Sequence, residues 1–156
     1  MKIAVGSDET THLAESVVED LRRRGHELLL VGPLAGQPMT WPEVAHRVAQ
    51  TVSRGEADEG VVFCWTGTGA SIAANKVPGI RAALCADAET ARGARLWNNA
   101  NVLALSLRRT SDVVAKEILD AWFATRYEPN PDDDAALEAL QSFDHPRQGD
   151  ASSGRS

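Results

Sequence analysis

Five short apolar runs, each passing within a few residues into a stretch of helical spacing, constrain this chain more than any other feature. Lys2 to Gly6 breaks into Gly-Ser-Asp, and Leu13 to Leu21 then repeats apolar residues at helical intervals before the basic stop Arg22-Arg23-Arg24-Gly25. Glu27 to Gly32 is the second strand, closed by Pro33. A turn-rich segment leads to Trp41-Pro42, where proline at a first helical position suits a helix reaching about Ser53. Gly60 to Cys64, Arg81 to Cys85 and Asn101 to Ser106 supply three more strands, with helices predicted over Gly69 to Asn75, Ala88 to Trp97 and Ser111 to Thr125. Strands alternating with helices imply crossover connections, so the expected fold is a three-layer α/β domain around a five-stranded parallel sheet.

At 156 residues the chain fits a single domain, expected over 1–142, with 143–156 as a flexible, Ser/Gly-containing tail. Residues 128–134 break the alternation, and Asp134 to Leu140 can form one last short helix whose acidic start suits the macrodipole. A formal net charge of −6 disfavours a nucleic-acid partner, and gives no reason to expect an anionic membrane surface. The opening apolar run is too short for a secretory signal, and none approaches the roughly 18–20 residues that span a bilayer, so a cytoplasmic protein is expected. Cys64 and Cys85 are read as free thiols, Cys85 in the core. His12, His26, His46 and His145 lie scattered without metal-ligand spacing, and neither a metal nor a cofactor is expected. Arg22 to Arg24 reads as a solvated helix end.

In parallel sheets ligands sit at the carboxyl ends of strands, which nominates Asp8, Glu9, Cys64 to Gly69, Asp87 and Arg108. The stretch Cys64-Trp-Thr-Gly-Thr-Gly-Ala-Ser-Ile-Ala-Ala-Asn-Lys76 puts a thiol, hydroxyls and flexible backbone at one such end. Taken alone, Cys64 reads as a buried strand-end thiol, and Gly67-x-Gly69 lacks both the third glycine of a dinucleotide fingerprint and the Lys-Ser/Thr of a P-loop. Asp8 suits a cap or turn before the helix near Thr11 as well as a site, and Thr10 or Thr11 suits the cap equally. Asn75 and Lys76 suit a helix end as well as a ligand contact.

The string Cys64-x-Thr66-Gly67-x-Gly69-x-Ser71-Ile72-Ala73-Ala74-Asn75-Lys76, continuing to Pro78-Gly79-Ile80-Arg81-Ala82, resembles the ribose-5-phosphate isomerase B family, which includes the galactose-6-phosphate isomerase subunits. Asn98-x-x-Asn101-Val102-Leu103-Ala104 resembles its second signature, and the likeness covers roughly residues 1–127. It implies a Rossmann-like fold, metal-independent interconversion of aldose and ketose phosphates, and a homodimer or homotetramer with sites at the subunit interface. Cys64 then stands at the position of the base that moves a proton between adjacent carbons through a cis-enediolate, with loop amides and a helix start favouring its thiolate. Thr66 would relay a proton between the substrate oxygens, and backbone N–H groups of Gly67, Thr68 and Gly69 would hold the enediolate oxyanion. Asp8 would touch the ring oxygen and hydroxyls, Asn98 and Asn101 would bond hydroxyls or hold their loop, and Arg108 would meet a phosphate.

Three positions depart from the family pattern. Glu9 replaces a His near the phosphate, Trp97 replaces the His that assists ring opening, and residues 129–137 are acidic where Arg residues are usual. A carboxylate within about 4–6 Å repels a phosphate, and indole performs no acid/base step. Trp97 suits stacking on a sugar face or packing at a subunit contact. The expected function is a ketol isomerase of a sugar other than ribose 5-phosphate, unphosphorylated or modified, with C-2 epimerisation as a near neighbour. The alternatives are ribose-5-phosphate isomerase itself, or a sugar-binding or regulatory homologue without turnover.

Overall fold

The structure, a computed structural model, describes residues 1–145. The expected tail therefore lies outside the described residues from 146 onward. Five strands, β1 (Lys2–Ser7), β2 (Glu27–Val31), β3 (Glu59–Cys64), β4 (Ala82–Leu84) and β5 (Val102–Ser106), form one parallel sheet in the order β2-β1-β3-β5-β4. Helices α1 (His12–Arg23), α2 (Trp41–Ser53), α3 (Thr68–Ala74), α4 (Ala88–Asn98), α5 (Asp112–Ala124) and α6 (Pro131–Ser142) accompany it among the described residues, with a short 3-10 turn over Gly32–Ala35 after β2. This is the α/β sheet that the alternation predicts.

Period-two alternation in the central strands divides the interior into two layers. Ile3, Val5, Val61, Phe63, Leu103 and Leu105 pack with residues of α1, α4 and α5 on one face. Ala4, Val62, Cys64, Val102 and Ala104 pack with α2 and α3 on the other. In the second layer α2 rides directly on glycine: a Cβ at Gly6 would stand 2.5 Å from Val44, and one at Gly60 would stand 2.7 Å from Val48. Because α2 follows β2, its first residue lies at the carboxyl edge of the sheet.

Each helix start has a local cause. Thr11 caps α1 by accepting from Ala14 N–H, so Asp8 is not that cap; Asp87 caps α4 through Thr90, and Ser111 caps α5 through Val114. α6 begins three residues before Asp134, because Asn130 accepts from Asp133 N–H and Pro131 takes the first helical turn. It has no buried residue, and Phe143 just beyond it is 76% exposed.

A buried polar cluster ties the amino edge of the sheet to two helices. Glu59, at the start of β3, pairs with Arg95 Nη2 at 2.7 Å and accepts from the indole N–H of Trp122 at 2.7 Å. Arg95 also donates to the carbonyls of Ala100 and Thr125, and its guanidinium lies 4.8 Å from the Trp122 ring centroid. Every charged group in the cluster therefore has a partner, the condition under which burying them is tolerable.

Candidate active site

The carboxyl ends of β1, β3 and β5 lie side by side, since Ser7 is in register with Phe63 and Cys64 with Ser106. That brings Asp8, the loop after Cys64 and Arg108 to one edge. The loops are stitched together by backbone: Leu107 N–H donates to Cys64 O, Arg108 N–H to Trp65 O, and the Ser106 hydroxyl also donates to Trp65 O at 3.0 Å.

Cys64 ends β3 and is only 5% exposed, one side of its side chain belonging to the layer beneath α2 and α3. Its sulfur accepts a hydrogen bond from Ala70 N–H at 3.4 Å, a donor in the first turn of the seven-residue α3. Between them the chain turns at Gly67, whose φ of 77° is the left-handed region that glycine enters without penalty. Glycine is also required by space, since a Cβ there would stand 3.0 Å from the backbone of Leu105 and Ser106 and 2.5 Å from Leu84. Thr66 and Thr68 are exposed, with hydroxyl oxygens 2.8 Å apart. Sulfur, paired hydroxyls and glycine backbone thus follow one another at the strand end.

Asp8 is half-buried, and its Oδ1 is buried with no hydrogen-bond partner among the described residues. Burial pushes this carboxyl above the usual carboxylate range; the charge of Glu9 adds to the rise, against an opposing backbone hydrogen bond. An unsatisfied oxygen of this kind is a natural acceptor for a ligand hydroxyl. Glu9 is exposed, its main chain fastened to the Ser7 hydroxyl. Arg108 is exposed, 6.0 Å from the Trp65 ring centroid, and forms no ion pair among the described residues.

Trp97, Asn98 and Asn101 are not brought to this edge. A helix following a parallel strand runs back across the sheet, so α4 starts at the carboxyl edge with Asp87 and ends at the amino edge with Trp97 and Asn98. There Trp97 is 62% exposed and folds over Gly93 of its own helix. Both ends of the Asn101 amide are used, accepting from Arg81 N–H at 2.8 Å and donating to Gly79 O at 3.0 Å, which is the loop-holding role. Asn75 similarly pairs with both backbone groups of Ala82. A cleft of about 840 Å³ opens at this edge beneath α6, lined by Asn98, Arg81, Asp134, Glu138 and Phe143 among others, but not by Cys64. Within one chain the sequence-nominated residues form two groups, separated by the length of β3, roughly 16–20 Å.

Cys85 packs in the opposite layer from Cys64, its thiol pushed up to about 12 by burial and then by the nearby charge of Asp87. No group of three or more His, Cys, Asp or Glu among the described residues is placed to hold a metal ion. No described helix is long and apolar enough to cross a membrane. Trp41 carried no functional signal in the sequence beyond opening a helix, yet its indole lies against Gly69.

Residues 3–139 match the sequence model of the Ribose/Galactose Isomerase family. Ribose-5-phosphate isomerase B of Escherichia coli is 41% identical over 128 residues, covering 81% of this chain and 86% of that protein. D-erythrulose-4-phosphate isomerase of Pectobacterium atrosepticum is 37% identical over 131 residues, covering 82% of this chain and 86% of that protein. Among solved structures, ribose-5-phosphate isomerase B of Clostridium thermocellum superimposes with a TM-score of 0.85 at 37% identity, covering 92% of this chain and 97% of that one.

Proposed function

This chain belongs to the Ribose/Galactose Isomerase family, and from that premise we propose that it is a ketol isomerase working through a cis-enediolate, with Cys64 as base and Thr66 as proton relay. The observation that carries the reading is the Cys64 sulfur at the end of β3, bonded by Ala70 N–H and followed at once by the Thr66 hydroxyl and glycine backbone. The Cys64 thiolate takes the proton from the carbon beside the carbonyl and returns it to the neighbouring carbon. Thr66 carries a proton from one substrate oxygen to the other, so atoms and charge balance over the cycle. The backbone amides of Gly67, Thr68 and Gly69 meet the oxyanion between the two transfers. Because Cys64 is nearly covered, the loop above it must open by a small displacement to admit the reacting carbons.

The substrate is a sugar phosphate other than ribose 5-phosphate. Arg108, which forms no ion pair among the described residues, meets the anion, while Asp8 Oδ1 accepts a sugar hydroxyl. Against ribose 5-phosphate stands the indole of Trp97, where ring opening would need a titrating group. A second reading, an unphosphorylated or modified sugar, is favoured by Glu9 together with Asp132, Asp133 and Asp134 in the first turn of α6. Trp97 and Asn98 can meet a substrate held at Cys64 only from a second copy of the chain, which supports a homodimer or homotetramer with interfacial sites.

The test is a panel of ribose 5-phosphate, D-erythrulose 4-phosphate, galactose 6-phosphate and the free pentoses and hexoses, read as aldose–ketose conversion. One sugar phosphate other than ribose 5-phosphate should show the highest kcat/KM. Turnover of ribose 5-phosphate at an ordinary metabolic rate, about 10 s⁻¹, with no better substrate would overturn the assignment.

A further inference from the structure

Trp41 is the first residue of α2, at the carboxyl edge of the sheet, and its place is fixed from the preceding turn. The Glu43 carboxylate accepts from Thr40 N–H at 2.8 Å and from the Thr40 hydroxyl at 2.7 Å. The close passage of α2 over Gly6 and Gly60 fixes it from below. The indole itself is 45% exposed, so it is not a core side chain. What it touches is Gly69: a Cβ at that position would stand 2.9 Å from both Cε3 and Cζ3 of the ring, closer than such atoms approach. Only glycine lets the ring down onto the backbone at this point, and only a large flat side chain makes use of the space.

The consequence lies one residue further on. Gly69 precedes Ala70, whose N–H donates to the Cys64 sulfur. A ring seated on Gly69 from the α2 side, opposite the packing of Gly67 on Leu84, Leu105 and Ser106, holds the loop between two surfaces. We propose that Trp41 is a positioning residue of the active site, whose indole clamps Gly69 and so holds the Ala70 amide on the Cys64 sulfur. The inference rests on the reading of Cys64 as the base. It also supplies the element that yields when a substrate enters, since the clamp is a half-exposed side-chain contact, not a backbone ladder.

Trp41→Ala and Trp41→Phe test it by amide hydrogen exchange and by kinetics. In Trp41→Ala the Ala70 amide should exchange about tenfold faster or more, while the Val62 amide at the centre of β3 keeps its protection. With the best sugar of the panel, kcat should fall about tenfold and KM should change less than about threefold, as a displaced donor weakens the transition state more than the ground state. Trp41→Phe should restore most of both, because a phenyl ring still covers Gly69. Unchanged Ala70 exchange in Trp41→Ala overturns the proposal. So does loss of protection at Ala70 and Val62 in step, which would make Trp41 ordinary packing. If no sugar turns over, the assignment of Cys64 fails, while the exchange of Ala70 against Val62 still decides whether the clamp exists.

Discussion

Replacing Cys64 with alanine is expected to lower kcat on the best sugar of the panel by about 10²- to 10⁴-fold, the range that a positioned general base contributes. Binding should survive, because the groups assigned to hold the sugar, Asp8, Arg108 and the backbone of Gly67 to Gly69, are untouched. Stability should fall by about 1–3 kcal/mol, because alanine leaves the buried Ala70 N–H without its acceptor. Cys85→Ala is the matched control. That thiol is buried in the other layer and pushed up to about 12, so it is no base near neutral pH, and its loss should leave kcat within about twofold. Steady-state kinetics with ligand-induced thermal shift separates the outcomes, and equal rates for Cys64→Ala and the unaltered protein would remove the base from the scheme.

The largest effect on stability should come from the amino edge, opposite Cys64 within the same chain. Arg95→Ala leaves the buried Glu59 without its 2.7 Å partner, takes a cation from the face of Trp122, and frees the carbonyls of Ala100 and Thr125. Breaking a buried pair from one side costs about 3–5 kcal/mol. For a chain of this size that lowers Tm by about 10 °C. Lysine at 95 should recover only part of the loss, since an ammonium cannot serve Glu59 and two carbonyls in the fork geometry of guanidinium. A calorimetric shift below about 2 °C for Arg95→Ala would mean that the cluster contributes little.

The sheet was legible because each strand is a short apolar run followed within a few residues by helical spacing. The chemistry of the Cys64 edge was legible for a related reason, since Cys64, Thr66, Gly67 and Gly69 are contiguous and the register of β1, β3 and β5 follows from the parallel order. Pairings between distant residues left no comparable mark. Glu59 meets Trp122 across 63 positions, and nothing near either residue forecasts the other. Trp97 and Asn98 were nominated together with Cys64, but the return path of α4 carries them to the opposite edge, a matter of connection that composition does not encode. The seat of Trp41 on Gly69 was hidden in the same way. The start of α6 is written in Asn130-Pro131, a cap followed by proline, ahead of the acidic run of Asp132, Asp133 and Asp134.

Proton movement is the centre of the account, and solvent isotope reports on it directly. The unaltered protein, given the best sugar of the panel in deuterium oxide, should introduce deuterium at the carbon beside the carbonyl, seen by NMR as loss of that proton signal during approach to equilibrium. Substrate that binds and stabilises the fold while its carbon-bound protons persist unexchanged and no isomer forms would contradict it, leaving a sugar-binding protein in which Cys64 is only a buried thiol.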